Sequence, residues 1–513
     1  QSQASVYEIV KKYNPELFAG IKKRVAEGRW EIAAVQWVEG DKNLASGESL
    51  ARHLLYTRHF FKENFNLNAE DLPLDWEPDT FGHAHTIPAI VSRAAVKYYY
   101  LCRGGKWKKP PVFWWQSSDG SRILVNLETT WYNDSIGPHN AFAMVKFSEK
   151  TGLKDWMNVY GVGDHGGGPT RRDIIRCHEM TAWPIFPDFK LTTTREYYAI
   201  LEEHSDSFPI LDRELNFEFP GCYTSQSQIK KFNRIGENQA VEAETAALLA
   251  FKLVGKDYPS QQLGEAWKKI LFGHFHDILP GSGVRATRQY QSGLFQQAVA
   301  ATGMIKTNSL RTIASRINTS FSAAGKNPAP LFEKENRSMG AGAGRGTEFG
   351  DISSGVHQKS GPRSIIVFNP TTWKRNEVIQ VSIWDSGKER SPGDIQKKDF
   401  IVRTSNGDFF PAQKAGSGNY WGHHYIDLMF PVIVGPLGYS SYCIEEGKAP
   451  SPSFGKVKLI KEALGFENEF LKVCFDRLTG GIIQLVDKKS GLDLADRDNP
   501  MGVLEYILER PGA

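Results

Sequence analysis

Cysteine pairs, long apolar runs and an excess of one charge are all missing from this sequence. Its five cysteines, Cys102, Cys177, Cys222, Cys443 and Cys474, are scattered and odd in number, with no CxxC pair. That pattern argues against a disulfide framework and against a cysteine-built zinc knuckle. No run of eighteen apolar residues occurs, so nothing reads as a membrane-spanning helix. Lys and Arg number 62 against 58 Asp and Glu, a net charge of +4. Such a field is too weak to recruit nucleic acid or an anionic membrane, and neither is expected as a partner. The chain opens at Gln1 with neither an initiator Met nor a signal-like segment, which leaves localisation open.

What is present is a chain of 513 residues, long enough for three or four domains. Thirteen Trp and eighteen Tyr suit a sugar-binding protein, whose aromatic faces stack on pyranose rings, as well as they suit ordinary core packing. Asn133-Asp134-Ser135, Asn318-Thr319-Ser320 and Asn336-Arg337-Ser338 match the glycosylation sequon, a match that arises often by chance.

Five regions follow from pattern. Over 1–205, helix-like segments (Glu16 to Glu27, Glu48 to Phe65) alternate with strand-like ones (Trp30 to Trp37, Val96 to Leu101, Ile123 to Val125). That rhythm predicts an α/β domain with parallel strands and chemistry at their carboxyl ends. Over 206–318 the pattern is helical and broken at Gly281-Ser282-Gly283, predicting a three-helix bundle. Residues 319–362 read as a glycine-rich linker that buries no core. Short β runs over 363–447 predict a β-sandwich, and 448–513 the start of another β domain.

Three clusters carry candidate chemistry. In Trp76-Glu77-Pro78-Asp79-Thr80-Phe81-Gly82-His83-Ala84-His85, Pro78 and Gly82 bracket a turn that would expose Asp79 at a strand end. Asp79 equally suits a helix N-cap. Gly161-Val162-Gly163-Asp164-His165-Gly166-Gly167-Gly168-Pro169-Thr170 sets one carboxylate among glycines, where a ligand can approach the backbone. It lacks the Lys-Ser/Thr ending of a P-loop and equally suits a plain turn. His274-Phe275-His276-Asp277-Ile278-Leu279-Pro280-Gly281 places imidazole beside carboxylate at a helix end, either a metal site or a favourable cap.

The combination and order of these segments resemble glycoside hydrolase family 38, the α-mannosidases. The resemblance runs through Trp37-Val38-Glu39, Asn43, Ser46-Gly47-Glu48-Ser49-Leu50 and Arg52, then Pro78-Asp79-Thr80-Phe81-Gly82-His83. It continues through Gly163-Asp164 with Pro169-Thr170, Tyr223-Thr224-Ser225-Gln226, Phe275-His276-Asp277 with Leu279-Pro280-Gly281-Ser282, and Val367-Phe368-Asn369-Pro370.

The resemblance implies a parallel (β/α) barrel-like catalytic domain and a retaining hydrolase of α-linked mannose. Asp79 would be the nucleophile and a metal ligand, His276 a second ligand, and Asp164 the acid/base. Asp277 would bind the sugar, Arg103 would keep Asp79 ionised, and Trp37 and Trp131 are candidate sugar-stacking residues. It also implies one divalent metal per site, most often zinc, with two further ligands in a His-x-Asp pair upstream of Gln1, and a β region continuing past Ala513. The expected partner is an α-mannoside or mannose-containing oligosaccharide, and association into a homo-oligomer is a further expectation. His165, Pro220 and Cys222 depart from the common family pattern. A non-catalytic carbohydrate-binding protein on the same fold, or a metal-dependent hydrolase of another class, are the alternatives.

Overall fold

The structure, a computed structural model, describes residues 3–104, 109–164, 166–319, 356–357, 362–384, 394–420, 423–448 and 457–504. They fall into two compact units, one ending at Ile317 and the other beginning at Asn318. His165, the sequon at Asn336 and most of the expected linker lie outside the described residues.

The first unit opens with α1 (Ala4–Tyr13), α2 (Pro15–Ala26) and α3 (Gly47–Phe65). Asn14 caps α2 by accepting the Leu17 N–H at 3.0 Å, with Pro15 pre-set for the first turn. Ser46 caps α3, and Leu50, Leu54 and Phe61 on one helical face enter the core. The strand expected over Trp30 to Trp37 does not form. Ile32 to Val38 is buried, but the Gln36 and Trp37 carbonyls accept the Ala4 and Ser5 N–H groups at the start of α1. They are spent on a helix terminus and not on a sheet ladder.

The central sheet contains β1 (Leu74–Glu77), β2 (Tyr98–Leu101), β3 (Val112–Gln116), β4 (Arg122–Leu127) and β5 (Ile210–Leu211), in the order β1-β2-β4-β3-β5. β1, β2 and β4 run parallel, whereas β3 runs antiparallel to β4. This is a mixed sheet with β1 and β5 at its edges, not the all-parallel strands expected of the barrel, and the described strands do not close one. The cause is local: Ser117-Ser118-Asp119-Gly120 closes a tight turn, with Gly120 at φ +84 and the Ser117 N–H donating to Ser121 O at 2.9 Å. A turn that short returns the chain antiparallel.

After α4 (Ile87–Ser92), α5 (His139–Thr151), α6 (Arg171–Thr181), α7 (Thr194–Glu203) and α8 (Pro220–Thr224) come the three helices of the expected bundle, α9 (Ser227–Val254), α10 (Ser260–Phe272) and α11 (Arg285–Ala314). Trp267, Leu271 and Phe295 of this bundle join Tyr99, Phe113 and Trp115 of the sheet in one hydrophobic cluster. Bundle and sheet therefore share a core.

In the second unit, two four-stranded sheets enclose a core that includes Ile383, Val402, Leu428 and Ile444, a sandwich in which inward residues alternate. Val356–His357, inside the expected linker, pairs parallel with the strand Arg375–Trp384. A further four-stranded antiparallel sheet spans Lys458 to Asp487.

Candidate active site

Strand register builds the first half of the site. Glu77 of β1 pairs with Leu101 of β2, and Asp79 and Arg103 each follow two residues later. Equal distances past paired residues bring them face to face, and Arg103 Nε donates to Asp79 Oδ1. Asp79 does not cap a helix; α4 begins at Ile87, after Thr86. The guanidinium also lies 5.1 Å from the Trp131 ring and 4.9 Å from the Phe219 ring.

A short antiparallel contact supplies the second half. Gly40 bridges Phe275, the Asp41 N–H donates to His274 O at 2.7 Å, and the His276 N–H donates to Glu39 O at 3.1 Å. This carries His276 Nε2 to 3.3 Å from Asp79 Oδ2, with Asp277 Oδ2 at 3.7 Å. Glu39 Oε1 accepts the Asp79 N–H at 2.6 Å, and Glu39 Oε2 lies 3.7 Å from His276 Nδ1. Burial opposes the charged imidazole, but Glu39, the hydrogen bond to Asp79 and the charges of Asp79 and Asp277 outweigh it and push His276 up to about 9. Burial likewise opposes the Asp79 carboxylate, and His276 and Arg103 overcome it, holding Asp79 below its usual range. The result is an anionic nest around one imidazole.

Asp79, Glu39, His276, Asp277, Tyr132 and Asp164 line one open cleft of about 1620 Å³. Tyr132 stacks on Trp131, hydrogen-bonds Asp79 and feels the charge of both Asp79 and Asp164; burial first, then those charges, raise its hydroxyl above the usual range. Asp164 sits in the exposed turn of a hairpin in which Gly163 pairs with Gly167, and it accepts Asn133 Nδ2 at 2.7 Å. Asp277 is half exposed and accepts Ser282 Oγ at 2.8 Å. Trp131 is 37% exposed at the Arg103 side. Trp37 stands elsewhere. It is 2% exposed, edge-on to Tyr56 and Phe60 in the core, and cannot stack on a sugar.

Glu39 and Tyr132 were missed as site residues. Glu39 ends a buried apolar run and precedes Gly40-Asp41-Lys42-Asn43, and a polar cluster just past such a run is the signal that marks a site at its carboxyl end. Tyr132 carries no such signal.

Beneath the site lies a buried polar layer. Lys42 Nζ meets Glu77 Oε1 at 2.8 Å, both essentially unexposed, and Gln36 donates to Asp75 at 2.7 Å. Gly82 (φ +94) must lack a side chain, because a Cβ there would stand 2.1 Å from Asn216 Oδ1. His53 Nε2 and His274 Nδ1 approach to 3.0 Å, and His274 Nε2 reaches Asn233 Oδ1 at 2.7 Å. Because Nε2 of His274 donates to that amide oxygen, its Nδ1 is left to accept from His53.

The donor chemistry fits a cation in part. Asp79 Oδ2 and His276 Nε2 offer two ligands at one point within the anionic nest. Among the described residues no three His, Cys, Asp or Glu side chains converge as a metal cage, and two donors are fewer than the about four a zinc site uses.

Residues 1–214 match the model of the glycosyl hydrolases family 38 N-terminal domain, and residues 218–313 that of the α-mannosidase middle domain. The chain is similar to α-mannosidase G of Dictyostelium discoideum, 30% identical over 61% of this chain and 29% of that one. It is similar also to human α-mannosidase 2C1, 28% identical over 74% of this chain and 33% of that one. It thus spans about a third of the curated relatives it matches. An α-mannosidase crystal structure from Enterococcus faecalis V583 superposes on 96% of this chain and 56% of that one, with TM-score 0.71 and 20% identity, and shares the fold. Two consecutive matches to parts of one family, with relatives named for one activity, place the chain: it belongs to glycoside hydrolase family 38.

Proposed function

We propose that the protein is a retaining α-mannosidase, removing terminal α-linked mannose from a mannoside or mannose-containing glycan by double displacement. The observation that carries this reading is Asp79 at the carboxyl end of β1, clamped by Arg103 and His276 in a cleft that also holds Asp164. The relatives' names supply the sugar.

In the first step the Asp79 carboxylate attacks the anomeric carbon. The bond to the leaving oxygen breaks as Asp164 gives that oxygen its proton. In the second step Asp164 takes a proton from water, whose oxygen attacks the same carbon and releases Asp79. Retention requires carboxyl groups about 5–5.5 Å apart. Arg103 keeps Asp79 ionised, and Glu39 fixes its backbone by accepting the Asp79 N–H. Asp277 and Trp131 would contact the sugar. Asp79 and His276 would hold a divalent cation, zinc by the family resemblance, which would supply Lewis-acid stabilisation of the sugar hydroxyls and the oxocarbenium-like transition state.

The test is release of p-nitrophenol from p-nitrophenyl α-mannoside by the full-length protein, before and after chelation and zinc return. Metal-dependent turnover that vanishes in Asp79→Ala is expected. An intact, metal-loaded protein without turnover would instead indicate a carbohydrate-binding protein or another class of hydrolase.

A further inference from the structure

We infer that Asn133 is the positioning residue for the acid/base, holding the Asp164 carboxyl at the cleft; this rests on the reading of Asp164 given above. Asp164 belongs to no helix or strand. It lies in an exposed glycine turn, where the backbone alone imposes little direction on a carboxyl group. A group that must hand a proton to one oxygen and take one from another needs a fixed aim, within about 3 Å of both.

The structure shows how that aim is fixed. The segment after β4 and the strand leading into the hairpin run side by side: the Asp134 N–H donates to Val159 O at 3.0 Å, and the Gly161 N–H to Asp134 O at 3.2 Å. That single parallel bridge, Asp134 to Tyr160, ties the two segments together, and past it the chain folds back so that Gly163 meets Asn133. A Cβ on Gly163 would stand 2.5 Å from Asn133 Cβ, and Gly163 has φ +63, so only glycine allows the two segments to close. At this closest approach Asn133 Nδ2 donates to Asp164 Oδ1 at 2.7 Å. One oxygen is thereby engaged and the carboxyl plane set. Tyr132, the neighbour of Asn133, faces Asp79. Adjacent residues of one segment thus address the two carboxylates of the reaction.

A merely structural contact and an aiming contact differ in leaving-group dependence. 2,4-Dinitrophenyl α-mannoside departs without a proton in the first step, whereas methyl α-mannoside requires one. In the full-length protein, Asn133→Ala and Asn133→Leu should lower kcat/KM on the methyl mannoside by about 10²-fold and on the dinitrophenyl mannoside by less than about threefold. Azide, which attacks without a base, should raise kcat of these variants on the dinitrophenyl substrate. Gly163→Ala, which displaces the hairpin and leaves the amide intact, should show the same signature if the Asn133 variants melt early. Equal losses on both substrates, or no loss, overturn the inference. Asp164→Ala, run alongside, separates the two failures. If Asp164→Ala lacks the signature, the acid/base reading falls and the inference with it. If only the Asn133 and Gly163 variants lack it, the positioning role alone falls.

Discussion

The two carboxylates of the cleft are held in opposite ways. Asp79 follows a buried parallel strand, and its neighbours Arg103, Glu39 and His276 are placed by β register and a main-chain bridge. Asp164 hangs in an exposed glycine hairpin and is aimed by a side-chain hydrogen bond. In the proposed mechanism the difference follows the tasks assigned to them. A nucleophile must stay ionised and still while the sugar moves onto it, so rigidity and positive charge serve it. An acid/base must change protonation and let a leaving group pass, so it sits on a segment that can give way.

The largest effect should come from removing the rigid side's chemistry. Asp79→Ala should cut kcat by at least about 10⁴-fold with unchanged circular dichroism, because the removed group acts in both steps. Residual turnover near wild type would end the contrast at once. Next, Lys42→Met should cost about 3–5 kcal/mol in urea unfolding, since it leaves Glu77 and Asp75 as buried, uncompensated acids. A neutral result would show that the layer beneath Asp79 is not rigid.

Glu39→Ala should lower kcat by about 10- to 100-fold and weaken zinc binding by a similar factor, with equal losses on activated and unactivated mannosides. Glu39→Gln keeps an acceptor for the Asp79 N–H and should recover part of the loss. A leaving-group-dependent loss here would blur the two halves of the site. The last effect is a slope with pH. Burial holds His274 down to about 4 in the fold, against about 6.5 when exposed. The unfolded chain therefore binds the extra proton, and stability contributed by neutral His274 is present above pH about 6.5 and lost as pH falls toward 4, by up to about 1.4 kcal/mol per pH unit. Urea midpoints of wild type and His274→Gln across that range should differ in slope; parallel lines would refute it.

Local signals carried much of the fold. Glu48 to Phe65 was legible because its 3.6-residue spacing and the Ser46 cap beside it are local, and the β-sandwich over 363–447 because its short β runs are local too. Trp30 to Trp37 was not, since its apolar run is buried as expected but its carbonyls serve α1, a partner that hydrophobicity cannot name. The all-parallel expectation overlooked Ser117-Ser118-Asp119-Gly120, a turn signal that reverses one strand. In the site, Asp79 and His276 stood out by motif and Arg103 by the family resemblance, and the three do meet. Glu39 was hidden because its role is split between carbonyl and carboxyl, and the carbonyl's part has no sequence signature. Trp37 lies in the core, and neither the resemblance nor aromatic content says which rings face solvent.

Asn133 opens the tripeptide Asn133-Asp134-Ser135, so the nitrogen that holds Asp164 is the one an oligosaccharyltransferase would load. A glycan on it would crowd the Asp164 side of the cleft. Producing the protein in a host that glycosylates this tripeptide, or in one that does not, thus becomes a variable of its chemistry and not only of its yield.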